Sequence, residues 1–348
     1  MNRLSEIIIK DAEKILEKID LSEMEGKSIL ITGASGLIGT YFLACLKVLS
    51  GNKKIGKITA VCGSKYPLYL NDLINYPEIE IAVGDLTNYE FHQKLPMADY
   101  IIHAAGYGQP GRFMENPTKT LKLNTEITFY LFDKLKNNGK FLFLSTSEVY
   151  SGLTNPPHKE FEVGSTNTTH PRSCYIEAKR CGEVICNAYG ARGVKAKSAR
   201  LSLAYGPGTK PDDLRVLNSF IQKATQGNIE LLDYGEAKRT YCYISDAIEI
   251  LWNILLFGKE PVYNVGGISS ITIADLARKI GKHLNVPAVF PKISSDKISG
   301  APVDVSLDMT KVKNEFGKTK YVSFDEGLAR TIKWQKELYK INLKENEK

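Results

Sequence analysis

Tyr175 and Lys179 stand four positions apart in SCYIEAKRCGE. On a helix that spacing puts both side chains on one face. An ammonium beside a phenol favours the phenolate and lowers its pKa towards neutrality. Such a tyrosine can take a proton from a hydroxyl while hydride leaves the same carbon. A second group, Thr146, Ser147 and Glu148 in STSEVY, follows an apolar run that reads as a strand. Thr146 would be a second hydroxyl on the reacting oxygen, and Glu148 adds a carboxylate.

Hydride needs an acceptor, and ITGASGLIG offers a seat for one. Gly33 lets the chain turn at a strand end. Gly36 lets backbone N–H groups approach a pyrophosphate at a helix N-terminus, and Gly39 lets the helix pack closely on the strand. The pyrophosphate is expected along Ser35, Gly36, Leu37 and Ile38. In many such sites an acid ends the second strand and bonds the adenosine ribose. Here that place reads VCGSK, without an acid. Ser64 and Lys65 could instead meet a 2′-phosphate, so NAD is expected, with NADP admitted. Asp85 in VGDLT is placed to receive the adenine amino group.

These residues need elements to hold them. KSILITG, KITAVCG, IEIAVGD, DYIIHAAG, KFLFLSTS and KAKSARLSLAYG read as six strands, with helical patterns between most of them. Strand alternating with helix predicts a parallel sheet covered on both faces. Apolar residues between 4 and 19 recur at helical spacing, which predicts a helix ahead of the main domain. The reading is an α/β chain of Rossmann type, doubly wound, with a smaller C-terminal substrate-binding lobe. Residues 1–26 form the N-terminal helical extension, and 27–205 the dinucleotide-binding domain with a return near 238–265. Most of 206–348 forms the lobe.

Composition narrows the function. In 348 residues, 43% hydrophobic and 24% charged content describes an ordinary globular protein. The formal charge of +7 is spread thinly, which suits a phosphorylated small molecule and not a nucleic acid. Six cysteines without a C-x-x-C pair, and five histidines, predict no metal site. They also suggest a reducing cytoplasm. No signal peptide and no membrane-spanning stretch is expected.

Together TGASGLIG, HAAG, STSEVY, YIEAK and ARLSLAYGPG resemble the extended short-chain dehydrogenase/reductases. The resemblance covers roughly residues 27–340. It implies NAD(P) held in the Rossmann domain, with Leu86, Ala104, Ala105 and Lys179 also lining the cofactor. It implies a nucleotide-diphosphate sugar as substrate, and homodimers joined through a bundle of four helices.

Within that family several stretches are similar to the UDP-glucuronate decarboxylases: FMENPTKTLKLNT (113–125), STSEVY, DLRVLNSFI (213–221) and GEAKRTYCYISDAIE (235–249). By that likeness Thr146, Ser147, Glu148, Tyr175 and Lys179 line the chemistry, while Arg215 and Arg239 bind substrate. The implied activity is decarboxylation of a UDP-uronate through a 4-keto sugar. A 4,6-dehydratase is the rival, with Glu148 as C5 base, although Ser147 replaces the aspartic acid of one dehydratase type. A 4-epimerase comes third. A non-catalytic NADP sensor or scaffold is the remaining reading; such members typically lose the Tyr or Lys present here. Two departures from the decarboxylase pattern are Gly208 where an Arg is usual and Ser202-Leu203 where an Asn is usual. Tyr107 and Arg112, in and just after HAAGYGQPG, are unusual in a loop expected to face the sugar.

Overall fold

The computed structural model describes residues 2–51, 55–64, 66–292 and 304–346, with side chains through residue 340. In chain order the strands are β1 (Ile29–Thr32), β2 (Ile58–Cys62), β3 (Ile79–Val83), β4 (Ala98–His103), β5 (Leu135–Thr146), β6 (Lys195–Leu201), β7 (Ala204–Tyr205), β8 (Ile229–Glu230), β9 (Lys238–Tyr243), β10 (Val262–Val265), β11 (Ser269–Thr272) and β12 (Ala288–Val289). Seven of them form a central sheet in the order β10-β6-β5-β4-β1-β2-β3. Every pairing in it is parallel. The expected doubly wound Rossmann sheet is therefore present, and strand order reverses between β1 and β4. That switch point is where ligands bind in such sheets, outside the carboxyl ends of the strands.

Successive side chains on a strand point to opposite faces. Ile29, Ile31, Ile58, Ala60 and Ile102 accordingly join one core with Phe42, Leu46 and Trp252. Leu30, Val61, Ile101, Phe141 and Phe143 join a second with Ile127, Leu131 and Ile185. The N-terminal helix, read from sequence over 4–19, spans Arg3–Leu16. Its Leu4, Ile8, Ala12 and Ile15 are buried in the first core. Buried Asp11 accepts hydrogen bonds from Tyr41, Tyr243 and Arg330.

The run KAKSARLSLAYG, read from sequence as a single strand, is two strands in two sheets. At Ser202 the backbone still donates to Val265 beside the central sheet. One residue later Leu203 accepts from Cys242 instead. Strand β7 thus belongs to a small sheet ordered β11-β9-β7. Strand β9 lies in that small sheet too; the helix Ile244–Phe257 and β10 bring the chain back to the central one. No helix among the described residues is long and apolar enough to cross a membrane.

Candidate active site

The carboxyl end of β5 delivers Thr146, and a short 3-10 turn over Ser147–Tyr150 carries on from it. The Thr146 hydroxyl caps that turn, accepting from the Glu148 N–H at 3.2 Å, which fixes where Glu148 projects. Tyr175 and Lys179 come from the helix Ser173–Gly190, on one face as their spacing requires. Tyr175 shares a hydrogen bond with Thr146. Lys179 Nζ lies 5.8 Å from the centre of the Tyr175 ring and donates to the Leu144 carbonyl at 2.5 Å. All five catalytic candidates are thus brought to one place, Ser147 being buried beside Thr146.

Charge behaves differently from the sequence expectation. Lys179 was to lower the Tyr175 pKa; instead burial pushes the phenol up to about 12. Burial also pushes the Lys179 ammonium down to about 7, against the nearby carboxylate of Glu183. Desolvation is the largest cause for each group. The protein's own charges leave Tyr175 protonated, and the positive nicotinamide ring of an oxidised dinucleotide would supply the missing cation.

Glu148 is the other displaced titration. Burial raises its carboxyl, opposed by Arg172, Arg239 and His170. One oxygen accepts from Arg172 at 2.5 Å. The second, Oε2, is buried with no hydrogen-bond partner among the described residues. A buried acceptor left open is costly, and it stands available to a bound group. Arg215, held by Asp213 at 2.6 Å, is also close enough to Tyr175 to influence its ionisation. Three guanidinium groups therefore surround Glu148 and Tyr175.

Four of the residues at this site were not singled out from the sequence. Arg172 grips Glu148. Phe113 stacks on the Tyr175 ring, centroids 4.5 Å apart and planes 3° from parallel. Asn124 is buried next to Lys179 around Gly106, with its Oδ1 unpartnered among the described residues. Lys119 pairs with Asp85 at 2.6 Å. The signal was faint: each sits in a stretch already quoted or adjoining one, but only tertiary contact gives it meaning. Two residues expected on the sugar have other partners. Tyr107 hydrogen-bonds Lys119, and Arg112 pairs with Asp212 at the rim, 2.6 Å away.

On the cofactor side, Gly33 turns with φ +69°, and a Cβ there would lie 2.6 Å from the Ala104 carbonyl oxygen. That carbonyl belongs to the turn after β4, so the two strand ends approach as only glycine allows. Gly36 caps the helix Leu37–Ser50 without any side-chain cap, leaving the first N–H groups, around Leu37 and Ile38, open to an anion. A dinucleotide pyrophosphate fits this turn. Ser64 lies just beyond β2; Lys65 falls outside the described residues. The Asp85 carboxylate accepts from Thr87 as well as Lys119.

The sequence profile of the NAD dependent epimerase/dehydratase family matches residues 29–266. The chain belongs to that family. Its members are enzymes that use NAD, a dinucleotide that the turn at Gly33 suits. Among similar proteins is UDP-glucuronic acid decarboxylase 5 of Arabidopsis thaliana, 31% identical over 306 residues, 86% of either chain. Among solved structures, UDP-N-acetylglucosamine 4-epimerase from Methanobrevibacter ruminantium, in complex with UDP-N-acetylmuramic acid, aligns with a TM-score of 0.78 at 23% identity. The match covers 90% of this chain and all of that one. A dTDP-glucose 4,6-dehydratase of Streptomyces venezuelae, with NAD bound, aligns at 0.76 and 23%, covering 89% and 97%. At that identity the structures speak for the fold.

Proposed function

We propose that the protein decarboxylates a nucleotide-diphosphate uronate, UDP-glucuronate being the first candidate, to the corresponding pentose. The observation that carries this reading is the ring of Arg172, Arg215 and Arg239 about Glu148 and Tyr175. A sugar with a carboxylate on C5 is the anion such a ring suits, and the 31% identical relative is a UDP-glucuronic acid decarboxylase.

Bound NAD would accept hydride from C4 and return it at the end. The rest falls to the chain. Tyr175, hydrogen-bonded to Thr146, takes the C4 hydroxyl proton and so leaves a ketone at C4. The C6 carboxylate is then β to that ketone. Carbon dioxide departs, and the C5–C6 bonding pair becomes an enolate across C4 and C5. Tyr175 and Thr146 hold its oxygen. A proton delivered from water at C5 takes the place of the carbon dioxide, and Tyr175 gives its proton back to the C4 oxygen as hydride returns. Arg239 and Arg172 hold the carboxylate end, Ser147 orients it, and Glu148 positions the ring or a water through its open Oε2.

One observation favours a second reading. A buried Glu148 with a raised pKa is also a suitable base for a C5 proton, as a 4,6-dehydratase needs, although Ser147 is then a poor acid for the leaving hydroxyl. Product masses decide. Incubation with NAD and a panel of UDP-, GDP-, CDP- and dTDP-sugars should give loss of about 44 mass units from a uronate; loss of about 18 would mean dehydration.

The protein is further proposed to act as a homodimer. Helices Pro117–Asn124 and Glu126–Asp133 pack beside Ser173–Gly190. They expose Leu121, Phe129 and Val184 by 41%, 49% and 64%, an apolar set that a second copy would cover. Val184→Glu should shift the solution mass to that of a monomer. All six cysteines are free thiols, which supports a reducing, cytoplasmic setting.

A further inference from the structure

The loop between β7 and the helix Val216–Thr225 leaves the sugar side and runs back over the cofactor turn. Gly208 starts that return. At φ +93°, a Cβ on it would touch Leu37, Tyr41 and Ile8 at 3.4–3.7 Å. Those are ordinary contacts; it is the positive φ that disfavours the arginine usual here in the decarboxylases. The Tyr69 hydroxyl donates to the Gly208 carbonyl at 2.9 Å. Further on, the Leu214 N–H donates to Gln109 at 3.1 Å, and Asp212 holds Arg112.

Between these anchors Lys210 reaches the glycine turn itself. Its Nζ donates to Ser35 Oγ at 3.2 Å. Ser35 is buried and also hydrogen-bonded to Cys62, the last residue of β2. Three separate segments so meet at the carboxyl edge of β1 and β2. In a Rossmann fold the adenosine ribose lies over this edge, and the charge found there decides between a free 2′-hydroxyl and a 2′-phosphate. An acid at the end of β2 would accept from the hydroxyl and repel a phosphate. This chain places Cys62, Gly63 and Ser64 there. Asp212, the carboxylate that influences Lys210, is engaged by Arg112. Burial depresses the Lys210 ammonium, a cost that a bound anion would offset.

We propose that Lys210 recognises the 2′-phosphate of the adenosine ribose, so that this chain takes NADP as well as NAD. The cation comes from the substrate lobe and replaces the discrimination that the end of β2 lacks. The inference rests on the dinucleotide reading of the turn and not on the sugar reaction.

Calorimetric titration of nucleotide-free protein with NAD and with NADP, no sugar present, tests it. Wild-type protein should bind the two within about tenfold. Lys210→Ala should raise the ratio of the NADP Kd to the NAD Kd by about tenfold or more, the worth of one charge-assisted hydrogen bond. Lys210→Arg, which keeps the charge, should hold the wild-type ratio and shows that the loop still folds. A ratio unchanged in Lys210→Ala overturns the proposal, since Lys210 would then touch only the pyrophosphate common to both. So does wild-type protein that binds NADP a hundredfold more weakly than NAD. Neither result bears on the sugar-panel masses, so the two readings fail separately.

Discussion

At the carboxyl edge of β1 the chain presents Gly33, Ala34, Gly36 and, across the gap, Ala104 and Ala105. Around Tyr175 it presents Arg172, Arg215, Arg239, Asp213 and Glu148. The first region offers a ligand backbone N–H groups and a helix end. Its side chains matter mainly by being small. The second offers long charged side chains, two of them held by a partner: Arg172 by Glu148, Arg215 by Asp213. A backbone cradle can be altered only by moving strands. A side-chain cradle can be altered one residue at a time, which is how one sheet supports many sugar chemistries.

The contrast can be broken most sharply at Tyr175. Tyr175→Phe should lower turnover by about two to four orders of magnitude, the range for a lost acid–base group, while calorimetric NAD affinity stays within about threefold. Equal loss of both would mean that the two regions are one unit. Glu148→Gln should cost less, about two orders of magnitude, and is more informative. Oxidation at C4 should survive, so reduced-nicotinamide absorbance should accumulate transiently in stopped flow while the later step stalls. Normal turnover in that variant would make Glu148 structural and favour an epimerase.

On the backbone side, Gly33→Ala should destabilise the fold by about 1–3 kcal/mol, through positive φ and the contact with Ala104. It should also weaken NAD binding, with both effects visible in one thermal-shift titration. A variant that melts normally and binds NAD normally would remove the backbone argument. A pH-dependent test concerns Lys179. Its folded pKa, about 7, lies below the unfolded value, so the unfolded chain binds the extra proton between pH 7 and roughly 10.4. Stability should therefore rise with pH across that window. Lys179→Met should melt higher than wild type at pH 6.5, and the gap should close as pH approaches 10. A gap independent of pH would mean that the ammonium is not desolvated.

The two regions were also unequally legible in the sequence. Gly33-x-x-Gly36-x-x-Gly39 is local: strand, turn and helix start lie within one stretch, so spacing alone located it. Tyr175 and Lys179 were legible for the same reason, one helix setting their relation. Arg172, Phe113 and Asn124 were not, because their partners are distant in the chain; the Phe113–Tyr175 stack joins two segments through tertiary packing alone. The direction of the Tyr175 shift was misread because spacing reports a neighbouring ammonium but not the burial that overrides it. The split of KAKSARLSLAYG was hidden for a similar reason: Ser202 and Leu203 continue the apolar pattern while their backbone partners change sheets.

Asp11 gives the N-terminal helix a consequence for how the protein can be cut. Its carboxylate receives Tyr41 from the helix Leu37–Ser50, Tyr243 from β9 and Arg330 from the C-terminal helix. Ile8, three residues earlier, packs where Gly208 turns. The family profile begins at residue 29, so its edge would fall after this helix. A chain shortened to that edge would keep every catalytic candidate and lose the keystone wedged between the helix Leu37–Ser50, β9 and the C-terminal helix. What the family profile spans and what is foldable are different lengths of this polypeptide.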